Sequence, residues 1–74
     1  MKLYTKTVCP KCLLVKAELN RVGLTPEILN IDQNEAAKEE LLSAGFLSVP
    51  VLQIDGEWVH EVPTMLEKVE LMAQ

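Results

Sequence analysis

Only two cysteines occur in the chain, Cys9 and Cys12, and they stand three residues apart. That excludes a framework of long-range disulfide staples, because a bridge of this spacing closes almost no loop and removes little entropy from the unfolded chain. Histidine is scarcer still, with His60 alone. Added to the two cysteines it makes at most a Cys2His set, short of the four ligands of a structural zinc site. No apolar run lasts more than a few residues, so no segment is long enough to cross a bilayer as a helix. Basic residues number 7 against 11 acids, a net charge of -4. Nucleic acid is therefore not the expected partner, since phosphate binding needs clustered lysine and arginine. The opening Met1-Lys2-Leu3-Tyr4-Thr5 lacks the apolar core and small-residue cleavage site of a secretory signal, so a cytoplasmic protein is expected.

What is present reads as a folded domain. The chain is 49% hydrophobic and 24% charged, which lies outside the disordered range. Its 74 residues suffice for one domain, residues 1–74, with a modest core. Met1 to Thr5 suits a short strand. Pro10 is tolerated at the first position of a helix, and Leu13, Leu14, Ala17 and Val22 then read as its apolar face, with Gly23 as the stop. Glu27 to Ile31 reads as a mostly buried second strand. Asp32 and Asn34 offer N-capping side chains for a helix that buries Ala37, Leu41 and Ala44 and ends at Gly45. Asp55-Gly56 between Val51–Ile54 and Glu57–His60 predicts a tight hairpin, because both central positions of such a turn need positive φ. Pro63 opens a last helix, with Met65, Leu66, Val69 and Met72 on one face. The order β-α-β-α-β-β-α predicts an α/β fold, a four-stranded mixed sheet flanked by three helices, whose first β-α-β is a parallel crossover.

The pair Cys9-Pro10-Lys11-Cys12 falls at the start of the first helix. Cys9 at the N-cap and Cys12 one turn on would lie on one side at disulfide distance. Free amides of Lys11 and Cys12 and the positive end of the helix would favour the Cys9 thiolate. Lys11 and Lys6 add nearby cations, and such surroundings lower a cysteine pKa from about 8.5. Exposed Cys9 would then attack a disulfide and the more shielded Cys12 would resolve the mixed disulfide. Pro10 supplies no amide hydrogen and stiffens the turn. Thr7 and Val8 shape the approach to Cys9, and Lys6 either draws an anionic substrate or is simply solvated. The position of the motif favours redox chemistry over metal binding or a structural pair.

Three stretches, Leu3-Tyr4-Thr5-Lys6, Cys9-Pro10-Lys11-Cys12 and Ser48-Val49-Pro50-Val51, resemble the glutaredoxin branch of the thioredoxin-like superfamily. The likeness covers essentially the whole chain and implies a thioredoxin-like fold. It implies that Pro50 is a cis-proline facing the cysteines, and that Val49 offers its backbone to an extended substrate segment. Many glutaredoxins open their last helix with Gly-Gly-x-Asp, which helps to hold glutathione. Here the matching region reads Trp58-Val59-His60-Glu61-Val62-Pro63-Thr64. The Trp58-to-Pro63 spacing is similar to NrdH-type redoxins, although His60, Glu61, Val62 and Thr64 break that subgroup's Ser-Gly-Phe-Arg-Pro-Asp pattern.

The resemblance implies a monomeric electron carrier with no bound cofactor or metal beyond the Cys9–Cys12 disulfide. Electrons would come from NADPH through thioredoxin reductase, or from glutathione, and pass to a protein disulfide such as that of ribonucleotide reductase. A ferredoxin-like metallochaperone is the rival from another class. Those domains also place Cys-x-x-Cys after the first strand, but run β-α-β-β-α-β. Carriage of a glutathione-ligated iron–sulfur cluster is weakened by the dithiol motif. Trp58 is expected to pack on the core more than to meet a partner. His60 reads as an ordinary strand-end residue and Tyr4 as core or rim.

Overall fold

A computed structural model describes residues 1–72 of the chain. Four strands and three helices follow in the expected order: β1 (Lys2–Thr5), α1 (Pro10–Arg21), β2 (Glu27–Asn30), α2 (Glu35–Ser43), β3 (Val51–Ile54), β4 (Glu57–Val59) and α3 (Val62–Met72). The sheet runs β2-β1-β3-β4, with β1 parallel to β2 and antiparallel to β3. Asp55 and Gly56 both take positive φ, 49° and 83°, and close the β3–β4 hairpin. None of the described helices is long and apolar enough to cross a membrane.

Alternation along the central strands sorts the core into two layers, because successive strand residues face opposite sides. Leu3 and Leu52 meet Val15 and Leu19 of α1 and Met65 and Val69 of α3. Their neighbours Tyr4 and Val51 meet Ala37 and Leu41 of α2 on the other face. Helices therefore cover both sides of the sheet, α1 and α3 on one and α2 on the other.

Three expectations need correction. The buried stripe of α1 is Cys12, Val15 and Leu19, whereas Leu13 is 65% exposed and Leu14 is exposed too. Helix α1 carries apolar residues around much of its circumference, so only the packing against β1 and α3 selects the 12-15-19 stripe. Strand β2 lies at the sheet edge, with Ile28 exposed and Leu29 only half-buried, so it is not mostly buried. On α2 and α3, Ala44 and Met72 are exposed; Leu66 is half-buried beside the buried Met65 and Val69. Ala44 is the C-cap residue of α2, already past the stripe that faces the sheet.

The end of α2 is shaped by a Schellman motif: Gly45, at φ 93°, donates to the Leu42 carbonyl and Phe46 to that of Leu41. This turns Phe46 back over the α2 face of the sheet. There its ring lies 5.5 Å from Trp58 and 5.5 Å from His60, and Trp58 lies 5.5 Å from Tyr4. Trp58 is half-buried in this aromatic row, in keeping with a packing role.

Tyr4 is fully buried, and its hydroxyl donates to the Glu40 carboxylate on α2, which Lys2 also approaches at 3.8 Å. Burial first, then the hydrogen bond and charge of Glu40, hold the phenol protonated well above its ordinary pKa of 10.0. The unfolded chain releases this proton more readily, so the stabilisation is complete below the ordinary value and is lost as pH rises above it. Urea midpoints should therefore fall between about pH 10 and 11.5, and Tyr4→Phe should flatten that slope while costing about 1 kcal/mol at neutral pH.

Candidate active site

Cys9 is the N-cap of α1, with extended backbone (φ -152°, ψ 92°), and Pro10 follows in the first turn. The Cys9 carbonyl accepts from Leu13 at 3.1 Å, which starts the helix. The Cys12 amide donates to Cys9 Sγ, also at 3.1 Å. The two cysteines are joined in a disulfide with their Cα atoms 5.2 Å apart. A residue type that accepts at an N-cap is usually a short oxygen-bearing one. Here sulfur takes that place, so the amide that caps the helix is also the one positioned to hold a thiolate once the bond is reduced.

Cys9 is less open than the sequence suggests, at 9% exposure, against 2% for Cys12. It faces its own helix and is bonded to Cys12, which covers part of its surface. Both line a groove of about 200 Å³ together with Lys6, Thr7, Lys16 and Asn30. Val8 stands beside it at 76% exposure, while Pro10 and Lys11 are exposed on the first helical turn. The loop before Cys9 is pinned from the end of β2 and the turn that follows it. Thr7 donates its amide to Asp32 at 2.9 Å, and the Asn30 side-chain amide reaches the Thr7 hydroxyl at 3.5 Å. Asp32 is thereby committed to this loop, and the α2 N-cap is Asn34 alone, accepting from Ala37 at 3.0 Å.

The Val49–Pro50 peptide bond is cis. Pro50 is buried just before β3. The β1–β3 register pairs Tyr4 with Val51, so one step further sets Pro50 beside Thr5, at the sheet end that leads into the cysteine loop. His60 is exposed at the far side of β4, against Phe46 and 3.8 Å from Glu61, and is not among the groove residues.

Sequence reasoning missed Lys16 and Asn30. Lys16 follows Cys12 by four and Cys9 by seven, a helical-face spacing that was legible. Asn30 pairs with Thr5 in the β1–β2 register, which no local pattern discloses.

Residues 1–59 match the family model of glutaredoxin. The chain is 37% identical to glutaredoxin 3 of Escherichia coli strain K12 over 60 residues, 80% of this chain and 72% of that one. It is 30% identical to the glutaredoxin-like protein NrdH of the same strain over 67 residues, 89% of this chain and 83% of the other. The solved structure of NrdH-redoxin from Escherichia coli superposes with a TM-score of 0.80 at 26% identity, over 90% of each chain. The helix between β2 and β3 already separates this order from that of the metallochaperones. A cysteine pair at disulfide distance, on this fold and with these relatives, makes the chain a thiol–disulfide oxidoreductase that belongs to the glutaredoxin family.

Proposed function

We propose that Cys9 is the attacking thiolate and Cys12 the resolving one, in a carrier that reduces protein disulfides. The observation that carries this reading is the 3.1 Å hydrogen bond from the Cys12 amide to Cys9 Sγ at the start of α1. Once the pair is reduced, the amide and the helix N-terminus stabilise negative charge on Cys9, with Lys6 and Lys11 as nearby cations. Cys9 S⁻ attacks a substrate disulfide RS–SR′, forming Cys9–S–S–R and expelling R′S⁻, which takes up a proton. Cys12, as thiolate, attacks the Cys9 sulfur, closes the Cys9–Cys12 disulfide and expels RS⁻. Two electrons leave the dithiol, and the substrate disulfide becomes two thiols. Pro10 holds the turn in which the ring closes. Thr7 and Val8 border the approach, and the backbone of Val49 beside cis-Pro50 aligns an extended substrate segment by strand-like pairing.

A protein substrate, such as the disulfide of ribonucleotide reductase, and thioredoxin reductase as donor are favoured over glutathione. The segment opening α3 lacks Gly-Gly-x-Asp, and its surface carries Glu57, Glu61 and His60, with Lys68 paired to Glu57 at 2.6 Å. The solved NrdH-redoxin of Escherichia coli, described as glutaredoxin-like with a thioredoxin-like activity profile, supports the same direction. Residues 1–74 would then act as one monomeric, cytoplasmic domain whose only redox group is the cysteine pair.

The test feeds the oxidised protein NADPH with either thioredoxin reductase or glutathione and its reductase, and follows NADPH consumption against a small disulfide. Turnover is expected to be about tenfold or more faster with thioredoxin reductase. Faster turnover with glutathione would reverse the assignment of the donor.

A further inference from the structure

The groove beside the disulfide does not end there. Leu13, Lys16 and Ile28 line it and also line a second, larger stretch of about 500 Å³ that runs along α1 towards Leu24 and Pro26. The two stretches make one channel between the outer face of α1 and β2. That side is open because β2 is an edge strand, paired only with β1. It is also the side of the disulfide away from cis-Pro50, since Pro50 leads into β3 and β1 separates β3 from β2.

The charge of the channel is the reverse of the molecule's. The chain carries a net charge of -4, yet none of the described residues lining either stretch is acidic, and Lys6 and Lys16 stand at its disulfide end. Beyond the lysines, Leu13, Ala17, Leu24, Pro26 and Ile28 make the lining mostly apolar. Leu13 and Ile28 are large apolar side chains held exposed on either bank. From Cys12 to Asn20 the helix rises about 12 Å, the length of roughly four extended residues.

We propose that this channel docks a second stretch of the substrate protein, on the other side of the attacked cysteine from the stretch paired at Val49, reading a carboxylate at Lys16 and an apolar side chain between Leu13 and Ile28. The proposal rests on the redox reading above and names the substrate feature it selects. Charge complementarity to Lys6 and Lys16, and continuity with the cysteines, select an acidic–apolar segment over a basic one.

The test uses end-blocked peptides whose cysteine is in mixed disulfide with thionitrobenzoate. One carries Glu next to the cysteine and Leu three residues further, a second has Lys for Glu, and a third has Ser for Leu. Release of the yellow thiolate by the reduced protein gives second-order rate constants, and ratios between peptides cancel any common change in thiol reactivity. The Glu peptide should react about tenfold faster than the Lys peptide at low salt, and the ratio should shrink as salt screens the lysines. Lys16→Gln should bring the ratio near one and Lys16→Glu should invert it. Ile28→Ser should remove the preference for Leu over Ser. Both positions are exposed, and far-UV circular dichroism confirms folding of each variant. A Glu-to-Lys ratio that is unchanged in both Lys16 variants overturns the channel and leaves the redox reading standing. No thiolate release from any peptide by the wild type overturns both.

Discussion

Cys9→Ser is expected to lower disulfide reductase turnover by a factor on the order of 10³ or more, since a serine hydroxyl at an N-cap is not ionised at neutral pH and cannot replace the thiolate. Cys12→Ser should behave differently. It keeps the Cys12 backbone amide that bonds to Cys9 Sγ, so the first attack survives and the mixed disulfide accumulates for want of a resolving thiol. Mass spectrometry of the two variants after exposure to a peptide disulfide separates the roles. An adduct on Cys12→Ser with none on Cys9→Ser is the expected pattern. The reverse pattern would exchange the assignments, and equal turnover by Cys9→Ser and the wild type would remove the mechanism altogether.

The largest stability effect is expected at Leu19. It is 1% exposed between α1 and the layer of Leu3, Leu52 and Met65, so Leu19→Ala leaves a cavity and should cost about 3–4 kcal/mol. Domains of this size have stabilities on the order of 5 kcal/mol, so the variant would lose most of its margin and about 15 °C or more of Tm. Leu13→Ala, on the exposed face of the same helix, should move stability by less than about 0.5 kcal/mol. The contrast between two leucines six residues apart tests which face of α1 is buried. Similar losses at both positions would contradict the packing described above.

That same helix shows where the sequence stops being informative. Everything decided within a few residues was legible: Pro10 at a helix start, Asp55-Gly56 as a tight hairpin, Gly45 as a helix stop, Asn34 as a cap. The cysteine spacing belongs to this group. The buried face of α1 did not, because Leu13, Leu14, Val15, Ala17 and Leu19 offer competing stripes and only the partners on β1 and α3 choose between them. Strand β2 was misjudged for a related reason. Its Ile-Leu pair looks the same at the centre of a sheet as at its edge, and sheet order is set by distant segments. Asp32 was read as a cap from its place before a helix, whereas the chain brings it to the Thr7 amide, 25 residues away in sequence. The cis form of Pro50 followed from family likeness and not from any local preference. Lys16 and Ile28 come together only once α1 lies over the edge of the sheet, so the channel they line has no signature in the order of residues.

The disulfide joins residues only three apart, within the first turn of a single helix. Opening it unlinks no two elements of the fold, so reduction requires no rearrangement of the sheet or of the helices against it. A molecule built this way is a relay and not a scaffold. With Cys9 as the attacking sulfur, as proposed above, the donor that refills it and the acceptor that empties it would take turns on one landing site and compete for it. Selectivity between them would then fall to the side chains around that landing site.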